Sequence, residues 1–192
     1  ETLHREGRRD RSLLTEFLAE SLRRNKAYYA FWAAFAPNAW DGADARYAKQ
    51  EEYRPGGAFV PWAHRQDGQV LVQAGMEGDE EGYYGDFFTI PVKTGRSLFV
   101  EPYEEAGAEG EDSVLMTTYT APVLDAEGRA LGAIGVDLAL DSLSSLLKAD
   151  TLGKGSYAFL ASGGGLILGH GSDPSLVGKE VSLAVGEAEA SH

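Results

Sequence analysis

A chain of 192 residues, 43% of them hydrophobic, is long enough to bury one good core and part of another, so one complete domain plus extra elements is expected. A formal net charge of -13 repels nucleic-acid phosphates and argues against DNA or RNA as a partner. Cysteine is absent, and His4, His64, His170 and His192 show no compact ligand spacing, so neither a disulfide framework, a metal site nor any other cofactor is expected. No apolar run approaches the roughly 20 residues of a membrane-spanning helix, and the start does not read as an export signal.

In chain order, Leu14, Phe17, Leu18 and Leu22 recur at helical spacing, and Tyr28, Tyr29, Trp32 and Phe35 continue the pattern to Pro37. The expectation is one long helix over residues 10 to 36, serving as a stalk or packed along the domain. Its basic residues, Arg5, Arg8, Arg9, Arg11, Arg23, Arg24 and Lys26, read as a solvated face. The stretch from Asn38 to Gly57 reads as a structured loop, where Asp41 and Asp44 lack calcium-hand spacing and are expected to cap a short helix. A hairpin comes next, Ala58 to Arg65 and the strand around Val70 and Val72, turned at Asp67-Gly68, with His64 and Arg65 expected at an exposed strand end. Tyr83, Tyr84, Phe87 and Phe88 group on one side of a helix that ends at Thr94-Gly95. Val114 to Leu124 and Ala130 to Leu138 form a second, longer hairpin, and Asp141 is expected to cap a helix over Ser142 to Leu147. A fresh β pattern then begins at Tyr157 to Ala161 and Leu166 to Leu168, around Gly163-Gly164-Gly165.

Enzyme motifs fail in context. Gly153-Lys154-Gly155-Ser156-Tyr157-Ala158 precedes a strand, where a dinucleotide fingerprint must open a helix. Gly178-Lys179 is followed by Glu180 and makes no phosphate loop, and Ser162 stands in no nucleophile elbow. The chain is therefore not expected to be an enzyme.

The order of elements is that of an α+β, PAS-like antiparallel sheet flanked by helices, with a second module beginning behind it. Gly57-Ala58-Phe59-Val60-Pro61-Trp62, Gly82-Tyr83-Tyr84, Thr94-Gly95, Glu101-Pro102-Tyr103, Ala121-Pro122-Val123 and Gly132-Ala133-Ile134-Gly135-Val136-Asp137 together resemble the membrane-distal module of the double Cache family. Leu152 to Leu160 and Val177-Gly178-Lys179 resemble the opening of that family's membrane-proximal module. The resemblance implies residues 1–36 as the long helix, 37–150 as the ligand-binding module and 151–192 as the incomplete start of a second. It implies an extracytoplasmic sensor of a bacterial membrane receptor, most readily a chemoreceptor, otherwise a sensor kinase or diguanylate cyclase, with a homodimer through the first helix as one arrangement.

In amino-acid-binding members of that family an Arg two residues before a Trp-Tyr pair holds the ligand carboxylate. Here the pair is Tyr83-Tyr84 and Glu81 stands at the Arg position, whereas Tyr84, Tyr103, Glu105 and Asp137 match the positions around the ammonium. Asp137 also interrupts an apolar strand, where a carboxylate is costly unless it serves a partner, or caps the following helix. Aromatic faces with a buried carboxylate suit a cation, so the expected ligand is a small amine or quaternary ammonium, amino-acid-like in its ammonium end. Trp62 and Tyr119 could close the cage. A carboxylate or neutral metabolite held by backbone donors, or a ligand-free module docking a periplasmic protein, are the alternatives.

Overall fold

The computed structural model describes residues 9–75, 85–105, 113–147 and 156–183. The chain divides into two compact units, Glu1–Leu98 with Tyr119–Asp137 and Phe99–Thr118 with Leu138–His192.

Helix α1 spans Arg11–Arg24, and the Asp10 side chain accepts the Ser12 and Leu13 amides at its start. Leu14, Leu18 and Leu22 form its buried stripe at i, i+4 spacing. The helix stops at Asn25, well short of the expected residue 36. Arg65, expected to be exposed, explains part of that stop: its guanidinium donates to the carbonyls of Leu22, Asn25 and Tyr28, adding side-chain donors where the helix ladder ends.

The next element is a strand, β1, over Ala30–Phe35. The spacing of Tyr28, Tyr29, Trp32 and Phe35 mimics a helix, but six consecutive apolar residues suit a strand buried on both faces, and tertiary pairing decides. A one-turn helix α2 (Asp44–Tyr47) and a 3-10 turn (Pro55–Gly57) lead to β2 (Pro61–Gln66) and β3 (Gln69–Ala74). This hairpin turns at Asp67 and Gly68, both at positive φ (51° and 74°), the geometry of a tight two-residue turn. Helix α3 spans Asp86–Thr94 and ends at Gly95 in the left-handed region. Then come β4 (Leu98–Phe99), β5 (Tyr103–Glu105), β6 (Val114–Leu124), β7 (Ala130–Ala139), helix α4 (Leu140–Leu146), β8 (Phe159–Ala161) and β9 (Ile167–His170).

Strands are ordered β3-β2-β1-β7-β6-β4, with β5 also pairing β6, and β8-β9 make a separate hairpin. In the first unit the two sheet faces differ. Phe31, Ala33, Phe35, Ala63 and Ile134 pack with α1 in an apolar core that includes Trp40 and Phe59. The other face carries Trp32, Ala34, Trp62 and Ala133 against Phe87, Phe88 and Val92 of α3. Pro91 sits inside α3 and brings no amide hydrogen to the Phe87 carbonyl one turn back; the buried Thr120 hydroxyl donates to that carbonyl instead, at 2.8 Å.

In the second unit Tyr103 pairs with Met116 and Glu105 with Val114. Helix α4 begins directly after β7, with Ala139 at its cap and no side-chain cap bond, so Asp141 lies in the first turn and is not the expected cap. The Ser144 hydroxyl of α4 accepts the His170 amide on β9, and Ile167, Leu176 and Val181 form a small core.

Candidate ligand-binding site

Antiparallel register places four distinctive side chains of the first unit on the α3 face. Ala30 of β1 pairs with His64 on β2 and with Asp137 on β7, and Trp32 pairs with Trp62 and with Gly135. Directly opposed residues share a face, so His64, Trp62, Trp32 and Asp137 stand together on it. Trp32 is buried and its indole N–H donates to Asp137 Oδ1 at 3.0 Å. That donor orients the carboxylate. Gly135 makes the arrangement sterically possible: a Cβ there would meet the Trp32 indole at 2.3 Å. Phe87 of α3 meets the same indole edge to face, centroids 5.3 Å apart.

Asp137 does not cap α4, whose cap is Ala139. The expected exposure of His64 is also corrected. Its ring is buried and stacks parallel on Trp62, 3.9 Å between centroids and 6° between planes. Burial pulls the imidazole's pKa below its ordinary value, offset in part by the Arg65 backbone and the Gln73 side chain. Its Nε2 atom has no hydrogen-bond partner among the described residues.

The other anticipated residues divide between the first unit, the second unit and the stretch outside the described residues. Tyr119 is 38% exposed and precedes Thr120, which bonds to α3, so strand alternation turns Tyr119 to the opposite side. Tyr103 and Glu105 belong to the second unit; the Tyr103 hydroxyl lies 2.8 Å from Thr118 Oγ1, and burial raises the Glu105 pKa. Tyr83, Tyr84 and Glu81 lie outside the described residues, as does most of the Gly153 to Ala158 segment. Ser162 accepts the Leu166 amide within the β8-β9 hairpin, a turn role. Sequence reasoning missed Trp32 and His64; the available signal was strand alternation through Ala30, Trp32 and Ala34, masked by the coincident helical spacing.

Asp41 and Asp44 neither cap α2 nor stand apart as a calcium pair. Arg11, expected on a solvated face, is 3% exposed and binds Asp41 through two nitrogens at 2.8 Å, Asp44 through Nη2, and the Gly57 carbonyl through Nη1. Its guanidinium lies over the Tyr47 ring at 4.1 Å. Desolvation works against the cation, but the two carboxylates outweigh it and raise the Arg11 pKa, while Arg11 lowers that of Asp41. No three His, Asp or Glu side chains among the described residues are grouped to hold a metal ion.

A sheet with its strand order, α1 on one face and a short aromatic helix over a buried carboxylate on the other, is a PAS-like sensor domain. Residues 14–145 match the family described as methyl-accepting chemotaxis protein-like, first PDC sensor domain, and the chain belongs to it. It is 28% identical to the methyl-accepting chemotaxis protein TlpQ of Pseudomonas aeruginosa over 186 residues, covering 89% of this chain and 26% of the receptor. The chain thus spans about a quarter of that curated relative. It matches the solved extracellular domain of mmHK1S-Z3, a protein assigned as a histidine kinase, with TM-score 0.71 and 29% identity, covering 90% of this chain and 59% of that domain. The ligand-binding domain of the Pseudomonas aeruginosa PAO1 amino acid chemoreceptor PctC, solved with GABA, shares the fold at TM-score 0.50 and 20% identity, covering 91% of this chain and 63% of that one. No helix among the described residues is long and apolar enough to cross a membrane.

Proposed function

We propose that this chain is the extracytoplasmic sensor of a bacterial membrane receptor, most readily a chemoreceptor, and that it binds a small amine or quaternary ammonium ligand on the α3 face of its first sheet. Residues 37–150 form the ligand-binding module in this reading, and residues 151–192 open a second. The observation that carries the proposal is Asp137, a carboxylate 6% exposed in an apolar strand and aimed by the Trp32 indole. A carboxylate beside aromatic faces suits a cation, which is attracted by both the charge and the ring quadrupoles. Trp62 supplies one such face, and the family resemblance suggests Tyr83 and Tyr84 as further contacts. Kinship with TlpQ and with the extracellular mmHK1S-Z3 domain supports the receptor setting and the extracytoplasmic location.

Thermal-shift screening of the purified protein against amines, quaternary ammonium compounds, amino acids and organic acids tests this, since a ligand of the native state raises Tm. Amines and quaternary ammonium compounds are expected to raise it, and Asp137→Asn to abolish the shift. Stabilisation by organic acids alone would overturn the proposal.

A further inference from the structure

His64 and Asp137 are each the direct partner of Ala30, one across the β1-β2 ladder and the other across β1-β7. They therefore stand on one face, two interstrand steps or about 10 Å apart at the backbone. Ala30 stands between them on the sheet. Beside that row run Trp62, Trp32 and Gly135. The row thus carries a carboxylate at one end and an imidazole at the other, beside the two indoles.

His64 is 6% exposed, and its Nε2 is a buried polar atom without a partner among the described residues. Such atoms are rare because leaving them unpaired is costly, and each asks for an explanation. Trp40 Nε1 is also unpaired among the described residues, but it lies in the apolar cluster with Phe35 and Phe59 on the α1 face. His64 differs in facing the same side as Asp137, with its ring held by the Trp62 stack.

The geometry points to His64 as a specificity-determining residue: its Nε2 receives a hydrogen-bonding group at the far end of a ligand whose ammonium sits at Asp137. The inference rests on the amine reading above and narrows it. The favoured ligand class is an amine carrying a second hydrogen-bonding group, in preference to a simple alkylamine or tetraalkylammonium of the same length.

Calorimetric titration of the purified chain with linear amino alcohols of about three to six carbons, each beside the n-alkylamine of equal length, tests this. A hydroxyl both donates and accepts, so it serves either imidazole tautomer. At the best chain length the amino alcohol is expected to bind about tenfold tighter or better. His64→Phe, which keeps an aromatic ring on Trp62, is expected to erase that preference while leaving alkylamine affinity close to that of the unmodified protein. His64→Gln, with an amide in place of the ring nitrogen, is expected to retain part of it. Equal affinity of the paired compounds, or a preference that survives His64→Phe, overturns the role of His64 and leaves the amine pocket standing. If no amine binds and organic acids do, the pocket reading falls and the His64 assignment with it.

Discussion

Asp44 and Asp137 are buried to the same degree, 6% exposed each, and both belong to the first unit, yet their surroundings differ in kind. Asp44 shares with Asp41 a guanidinium supplied by the chain itself, and its second oxygen accepts the Asn38 amide. Asp137 takes the hydrogen of an indole, a neutral dipole, on a sheet face lined by aromatic rings. A buried charge whose counter-ion is built in belongs to the architecture: it fastens the start of α1 to the loop before β2. Asp137, set beside an indole donor on an aromatic face, is the carboxylate that the proposed ligand site uses.

The sharpest way to break this comparison is to remove the built-in cation. Arg11→Met leaves two carboxylates buried without it and is expected to cost about 3 to 5 kcal/mol, lowering Tm in a melt followed by circular dichroism. A loss below about 1 kcal/mol would show that the Arg11 cluster is no fastening. Next comes the paired neutralisation. Asp44→Asn is expected to destabilise by about 2 kcal/mol, whereas Asp137→Asn should change unfolding free energy by less than about 1 kcal/mol or even raise it, because function and stability compete at receptive sites. Equal losses in urea titrations would place Asp137 with Asp44 as an architectural residue.

The smallest expected effect is the pH dependence. The folded-state pKa of His64 is lowered, so its neutral-state contribution is complete above the unfolded value of about 6.5 and is lost progressively as pH falls below it. The folded-state pKa of Asp41 is also lowered, so the Arg11 cluster's contribution is complete above the ordinary carboxylate value of about 4 and is lost progressively as pH falls through it toward the lower folded one. Stability measured from pH 8 to pH 3 should therefore fall in two stages, and His64→Phe should remove the first alone. A single acid transition unaffected by that substitution would contradict the assignment.

The hairpins are legible in the sequence because their information is local: Asp67-Gly68 can adopt the turn, and the flanking residues alternate. The family motifs likewise lead to the sheet and to Asp137 at its place on β7. The first helix reads as too long because Trp32 and Phe35 satisfy helical spacing by coincidence, and only pairing with β2 and β7 resolves β1 as a strand. Arg11 reads as solvated since its partners lie 30 and 33 residues away, and nothing local announces an ion pair of that span. His64 reads as an exposed strand end, though its burial depends on a sheet face that exists only after β1 is in place. Each miss is a non-local contact overriding a local pattern.

Gly135 carries a consequence for how this fold can diversify. An alanine there would drive into the Trp32 indole, and that indole aims the Asp137 carboxylate. The residues at 32 and 135 are therefore one heritable setting, not two: among related chains the bulk at one should vary inversely with the bulk at the other. A lineage could reset the surroundings of Asp137 by changing that couple, with Asp137 itself untouched.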